Sequence, residues 1–401
     1  MLKILKRLKN QPPPTQEIAS ARRMPLGMSL TPYSPDDLVQ RKGLDIYDQM
    51  QTDSQVSATL ATKKFATLSR GWELAAASKS TDVSAADADA QAAEFCRFAL
   101  QDMIGSVEDV LFGILDALAK GYSISEINFC TIESGRWQGK IGLHSIKHKD
   151  PALYDFRMDE FHNITGLVRL PVDGEPERNL PAGKFVVYTY MPAYAEPKGH
   201  SDLRACYKHW WTKEIMIRFF SSYMERFGSP VIKGTYKRGT TRAQQEELLR
   251  ILDRIQQETA IVVPEDVTVD LLEAAFHGEA GFLDAIQYHD RQIAKAILGE
   301  TLTQEEGLKT GSMALGQIHQ DTMMLRLGKI KRDLEETVMR EQVLKPLVSL
   351  NFANAAAPRF QLGSLQDRDL DKLSTVLERL TKTQTIKPTE PWIRDWLGIP
   401  A

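Results

Sequence analysis

Cysteine is scarce in this 401-residue chain: Cys96, Cys130 and Cys206 are the only three, and they lie far apart. That number and spacing exclude a disulfide framework and a cysteine-rich zinc centre, and they fit a reducing compartment. No apolar run reaches 18 residues, so no membrane-crossing helix is expected. An excess of charge of one sign is also missing. Lys and Arg number 50 against 53 Asp and Glu, a net of -3, which excludes a grip on nucleic acid through overall basicity. The G-x-x-x-x-G-K-[ST] phosphate loop and the G-x-S-x-G elbow are absent, which argues against ATP hydrolysis and hydrolase chemistry. No internal repeat of solenoid length occurs. What remains is an ordinary globular composition, 42% hydrophobic and 26% charged, long enough for two or three domains.

The chain opens MLKILKRLKN and breaks at Pro12-Pro13-Pro14. The stretch is too short and too charged for a signal peptide, and is expected to be a basic arm. Helical periodicity covers Asp37 to Leu68 with a break near Thr52-Asp53, where Asp53 or Ser54 caps the second helix; its apolar positions are Val56, Leu60, Phe65 and Leu68. Helices follow at Ala85–Met103 and Val107–Lys120, the latter stopped by Gly121. The period then changes to two. Strands are expected at Ser123–Ile132, Trp137–Ile146, Tyr154–Met158, Ile164–Leu170 and Lys184–Tyr190, an antiparallel block split by Gly, Asp, Asn and Pro.

Helix returns at Leu203–Phe227, rich in aromatics at spacings that suit packing better than base stacking. A strand at Val231–Tyr236 precedes a helix at Arg242–Gln257. A small β element at Thr259–Ala274 follows, then a helix at Glu279–Leu298. Thr301–Gly316 reads as a loop, Gln317–Leu350 as a long helix with Pro346 near its end, and Ser364–Thr383 as one more helix.

Motifs that could carry chemistry are isolated. His144 and His148 are four apart, but on a strand and without the glutamate of H-E-x-x-H. His289-Asp290 resembles the paired His-Asp of metal phosphohydrolases without the further ligands; the plainer expectation is a polar contact between helices. Charge, by contrast, is segregated. Arg204–Thr240 holds eight basic and two acidic residues, whereas Thr240–Gly307 holds five basic and fourteen acidic, a net of -9. Acidic walls repel phosphates and suit passage of DNA better than its capture.

Several ordered segments resemble the portal proteins of tailed bacteriophages, the Mu-like group above all. They are G-H-S-D-L-R-A-C-Y-K-H-W-W-T-K-E (199–214), Y-M-E-R-F-G-S-P-V-I-K-G-T-Y (223–236), A-T-L-S-R-G-W-E-L (66–74), G-Y-S-I-S-E-I (121–127), I-A-K-A-I-L-G-E-T-L-T (293–303) and G-S-M-A-L-G-Q-I-H (311–319). Trp210, Trp211, Phe227, Gly228, Pro230, Gly234 and Tyr236 carry the family motif. The resemblance implies an α+β, portal-like fold: a mixed α/β wing, a two-helix stem, a small β-containing clip and a long C-terminal helix. On it, residues 1–40 are the basic arm, 41–236 the wing, 237–258 and 279–300 the stem helices, 259–278 the clip, 301–320 the tunnel loop, and 321–401 the long wing and crown helices with the tail.

It further implies a homo-oligomeric ring, usually of twelve subunits, at the capsid vertex of a virion assembled in the bacterial host cytoplasm. Double-stranded DNA would pass through the ring in packaging and ejection. The implied partners are the terminase large subunit, head-completion or connector proteins, and the scaffold or major capsid protein. Glu265, Asp266 and Asp270 would face terminase from the clip. Gly307, Lys309, Gly311 and Gly316 would form the mobile tunnel loop, with Lys309 approaching the phosphates. No residue is assigned to catalysis, a cofactor or a metal. Mu-like portals generally extend past the point where this chain stops, Leu397-Gly398-Ile399-Pro400-Ala401, so a reduced crown or a shortened chain is expected. Two other readings stay open on residues alone: another virion structural or nucleic-acid-binding protein, and a metal-dependent phosphohydrolase built on His289-Asp290.

Overall fold

The computed structural model describes residues 37–68, 71–77, 83–159, 164–172, 175–194, 196–227, 231–235, 239–255, 268–272, 279–299, 313–363 and 378. The N-terminal arm, most of the tunnel loop and the expected helix at 364–383 therefore lie outside the described residues, Glu378 apart.

Among the described residues three helices come first: α1 (Asp37–Lys42), α2 (Asp45–Gln51) and α3 (Ser54–Leu68). The break falls at Thr52-Asp53, and Asp53 caps α3: its Oδ1 accepts from the backbone N–H of Gln55 at 2.9 Å and of Val56 at 3.1 Å. Val56 and Leu60 are buried, but Phe65 faces out and packs on Phe112. A strand the periodicity misses, β1 (Trp72–Ala75), pairs antiparallel with β10 (Arg359–Leu362) from the far end of the chain, Trp72 opposite Leu362. Four residues with a distant partner carry no local signature of their own.

Helices α4 (Val83–Asp102), α5 (Val107–Ile114) and α6 (Ala117–Lys120) lead into two three-stranded antiparallel sheets. The first has the order β3-β2-β7, from β2 (Tyr122–Thr131), β3 (Ile141–Lys149) and β7 (Phe185–Thr189). The second has the order β4-β5-β6, from β4 (Tyr154–Met158), β5 (Ile164–Arg169) and β6 (Arg178–Leu180). The expected strand at Trp137–Ile146 starts instead at Ile141, because 132–140 close a hydrogen-bonded turn. The outer edge of β7 is finished by a side chain. Gln342 accepts from the Val187 N–H at 2.8 Å and donates to its carbonyl at 2.9 Å, as a neighbouring strand would.

Two segments of the resemblance meet backbone to backbone here. Gly121 ends α6 at φ 86°, and Gly199 precedes α7 (Asp202–Phe227) at φ 58°. A Cβ on Gly121 would lie 2.3 Å from the Lys198 carbonyl oxygen, and one on Gly199 would lie 2.4 Å from the carbonyl oxygens of Gly121 and Tyr190. Only glycine fits both the angle and the approach.

Beyond α7 come β8 (Val231–Thr235), α8 (Arg242–Ile255), β9 (Thr268–Leu272) and α9 (Glu279–Leu298). The bounds of α9 match the expectation. α9 lies against α7, the most extensive helix–helix contact among the described residues, whereas α8 packs on β8. Strand β8, expected in the wing, pairs antiparallel with β9, so β8, α8 and β9 form one insert between α7 and α9.

The last long rod starts earlier than expected, at Met313. It runs as α10 (Met313–Arg332), a π-helical segment (Asp333–Leu344) and α11 (Lys345–Asn351). The π segment buries Leu334, Val338, Met339, Val343 and Leu344 in the main core, whose packing fixes its register. Among the described residues, no helix is long and apolar enough to cross a membrane.

Candidate functional site

The α7–α9 pair is antiparallel: Cys206 lies by Ile293, His209 by His289, Lys213 by Asp290, and both Phe220 and Tyr223 by Phe282. At 1.5 Å per residue the 26 residues of α7 span about 39 Å. Its two halves differ. The end near the sheets is sunk in the protein, while the far end is more exposed and, among the described residues, packs on α9.

Buried lysines hold the sunk end. Lys63 of α3 donates to Asp202 at the start of α7 (2.6 Å), to the Ile297 carbonyl at the end of α9 (2.9 Å) and to the Tyr190 hydroxyl after β7 (3.2 Å). Burial drives the Asp202 carboxyl up, and the Lys63 charge opposes that shift. Lys213 of α7 sits between Asp53 (2.7 Å) and Asp290 of α9 (2.6 Å). Burial pulls the Lys213 ammonium down, and its two carboxylates more than offset this, so its pKa is raised. Asp53 thus both caps α3 and anchors the pair. A third lysine, Lys64, meets Asp116, whose other oxygen lies 3.4 Å from His148 Nε2. Burial raises the Asp116 carboxyl, but the His148 contact and the Lys64 charge bring it to about 2.

Asp290 is therefore engaged with Lys213, and His289 with His209 (Nδ1 to Nδ1, 3.1 Å). This is the polar helix–helix contact, not a metal-hydrolase centre. No group of three or more His, Cys, Asp or Glu placed to hold a metal occurs among the described residues. His144 and His148 stand on β3, where His148 serves Asp116. Burial pushes the Cys96 and Cys206 thiols up to about 12, so neither is a nucleophile near neutral pH.

In the far half, large apolar side chains reach the surface. Ile217, Phe219 and Met224 of α7 and Leu283 of α9 are exposed, Phe219 by 62%. The aromatic helix packs as expected near its start, with Trp210 buried and Tyr207 stacked on Trp211, but Trp211 is itself 48% exposed under Lys42. Large apolar side chains grouped on one projecting element mark a surface that another molecule covers.

The other expected site residues scatter. Asp270 lies on β9 and Gly234 on β8, paired respectively with Lys233 and Val269, and Phe227 closes α7. Gly316 belongs to α10, not to a loop. Gly228, Pro230, Tyr236, Glu265, Asp266, Gly307, Lys309 and Gly311 lie outside the described residues. The buried lysine clusters were not singled out from sequence; the lysines stand at helix positions where solvent exposure is the usual expectation.

A sequence profile of the family described as the portal protein of Mu bacteriophage matches residues 44–399. The chain belongs to that family. It is 26% identical over 363 residues to the Mu-like prophage FluMu protein gp29 of Haemophilus influenzae, and 26% identical over 359 residues to the portal protein of Escherichia phage Mu. Each match covers 88% of this chain and 66% of the relative, so the chain spans just under two thirds of their length. Among solved structures it is similar to a chain in the neck of a native gene transfer agent particle computed with C12 symmetry. The TM-score is 0.57 at 11% identity, covering 89% of this chain and 94% of that one. A chain in the virion of the native particle matches with the same values. The fold is thus shared with these virion proteins, as the portal-like α+β expectation has it.

Proposed function

We propose that the chain is a portal subunit. Copies close into a ring at one capsid vertex, through whose axis double-stranded DNA is packaged and ejected. The role is mechanical, with no catalytic residue, cofactor or resident metal. The observation that carries this reading is the α7–α9 pair of a portal-family chain, tied by buried ions at one end and showing exposed apolar side chains at the other. A head-to-tail contact that repeats by rotation closes into a ring, and each exposed stem then covers its neighbour.

On this reading the stem is α7 with α9: the segment 279–300 stays in the stem, and α7 takes the place of 237–258. The clip is the whole β8–α8–β9 insert. Glu265, Asp266 and Asp270 give it an acidic face for the terminase large subunit and, later, for head-completion or connector proteins. Gly307, Lys309 and Gly311 belong to a tunnel loop that ends before Met313, and the wing meets the scaffold or major capsid protein. The protein resides in the virion after synthesis in the bacterial host cytoplasm. The net of -9 over Thr240–Gly307 supports a bore that passes DNA without holding it.

Electron microscopy of the purified full chain tests the reading. Rings with a central hole are expected, and only monomers at every concentration would overturn it. Asp266→Lys is expected to leave rings intact and weaken terminase binding in a pull-down; unchanged binding removes the clip assignment.

A further inference from the structure

We propose that His209 and His289 form a proton-sensitive latch between α7 and α9, closed while the pair is neutral and forced open by acid. The Nδ1 atoms of the two rings are 3.1 Å apart, at hydrogen-bond distance. A contact between two ring nitrogens needs one donor and one acceptor. An imidazolium has only donors, so the pair holds no more than one proton beyond its neutral complement before the contact becomes a repulsion. The rings are 5.3 Å apart at their centroids, and Tyr288 stands edge-on to both.

The surroundings oppose a second charge. From α7, Lys208 and Lys213 are cationic, and Lys208 acts directly on His209. From α9, Asp290 favours a proton on His289, but its carboxylate is held by Lys213; Tyr288 and Arg291 flank the pair on the same helix. From the corner before α3, Asp53 is likewise held by Lys213. Burial, with Lys208 and the facing ring for His209, keeps both imidazoles below their usual 6.5.

The sign follows. A histidine whose folded pKa is depressed binds fewer protons folded than unfolded. Its contribution is fully present above pH 6.5 and is lost as pH falls from there through the lower folded value. The pair sits along the α7–α9 contact between the Cys206–Ile293 and Phe220–Phe282 contacts, so acid weakens the joint at its middle.

Hydrogen exchange of the full chain, followed by mass spectrometry at pH 7.5 and 5.5 and corrected for the chemical rate, tests the latch without reliance on the portal reading. Peptides of α7 and α9 are expected to lose protection on acidification, by up to about tenfold per pH unit for each proton taken up on opening. Peptides of β4 and β5, which lack histidine, serve as the unchanged reference. His289→Gln is expected to abolish the pH dependence while preserving protection at pH 7.5. His209→Gln makes the same test from the other helix should the first variant fail to fold. Equal wild-type protection at both pH values, or the same acid loss in a folded glutamine variant, overturns the proposal, as does a wild-type loss that extends equally to β4 and β5. Failure of the ring in microscopy leaves this outcome untouched.

Discussion

The two ends of the α7–α9 pair contrast in what holds them. The sunk end is ionic and saturated: Lys63 and Lys213 each meet a carboxylate and a second partner, and α3 supplies the bracket. The far end is apolar and partly exposed: Phe220 and Tyr223 pack on Phe282, and beside them Phe219 and Leu283 face out. Buried ion pairs seldom add net stability, because desolvation consumes most of their attraction, yet losing one partner is costly. They fix where a helix sits. Apolar surface is indifferent to direction and gains wherever it is covered. The single chain thus completes its own anchor and keeps apolar surface exposed at the other end.

The largest effect should come from breaking the anchor. Lys213→Ala leaves Asp53 and Asp290 without their cation, and is expected to cost about 3–5 kcal/mol. Thermal melting checks it; a change of under about 1 kcal/mol would show that the anchor is solvated. Next is the glycine lock that seats the start of α7. Gly199→Ala is expected to cost about 1–3 kcal/mol from its left-handed backbone alone, with overlap against the Gly121 and Tyr190 carbonyls added. Urea denaturation measures it, and a neutral substitution would mean the close approach relaxes freely.

Acid probes the neighbouring ionic cluster. Asp116 falls from 3.8 to about 2 on folding, so its contribution is whole above pH 3.8 and disappears as pH drops towards 2. Asp116→Asn should therefore flatten the acid limb of the stability curve, and an unchanged limb contradicts the cluster. Least in stability is Phe219→Ser at the exposed end, within about 0.5 kcal/mol for the isolated chain. The same change should impair ring formation in sedimentation experiments. A large loss of monomer stability with normal rings would reverse the contrast.

Local elements were legible where a local rule sufficed. Tyr154–Met158 and Glu279–Leu298 have the bounds their patterns imply, and Asp53 caps the helix its position announces. Elements defined by a distant partner were not. β1 exists through β10, and β8 through β9, which lies more than 30 residues further along the chain. Of the site, His289-Asp290 was noticeable as a dipeptide, but its meaning lies in His209 and Lys213, some 80 residues earlier. The start of α10 at Met313 differed because glycine weakens a helix without forbidding one, and G-S-M-A-L-G reads as a loop only until the helix continues through it.

By itself the sequence determined the order of most helices and strands, the lack of catalytic constellations in the chain's motifs, the charge contrast along it and its kinship with portal proteins. These rest on periodicity, capping and composition, which act over a few residues or simply sum. Only the tertiary structure decided that α9 partners α7, that three lysines of α3 and α7 are buried anchors, and that large apolar side chains at one end of the helix pair reach the surface. Those outcomes depend on which surfaces meet across long chain separations, where desolvation and contact geometry, not local propensity, select the arrangement.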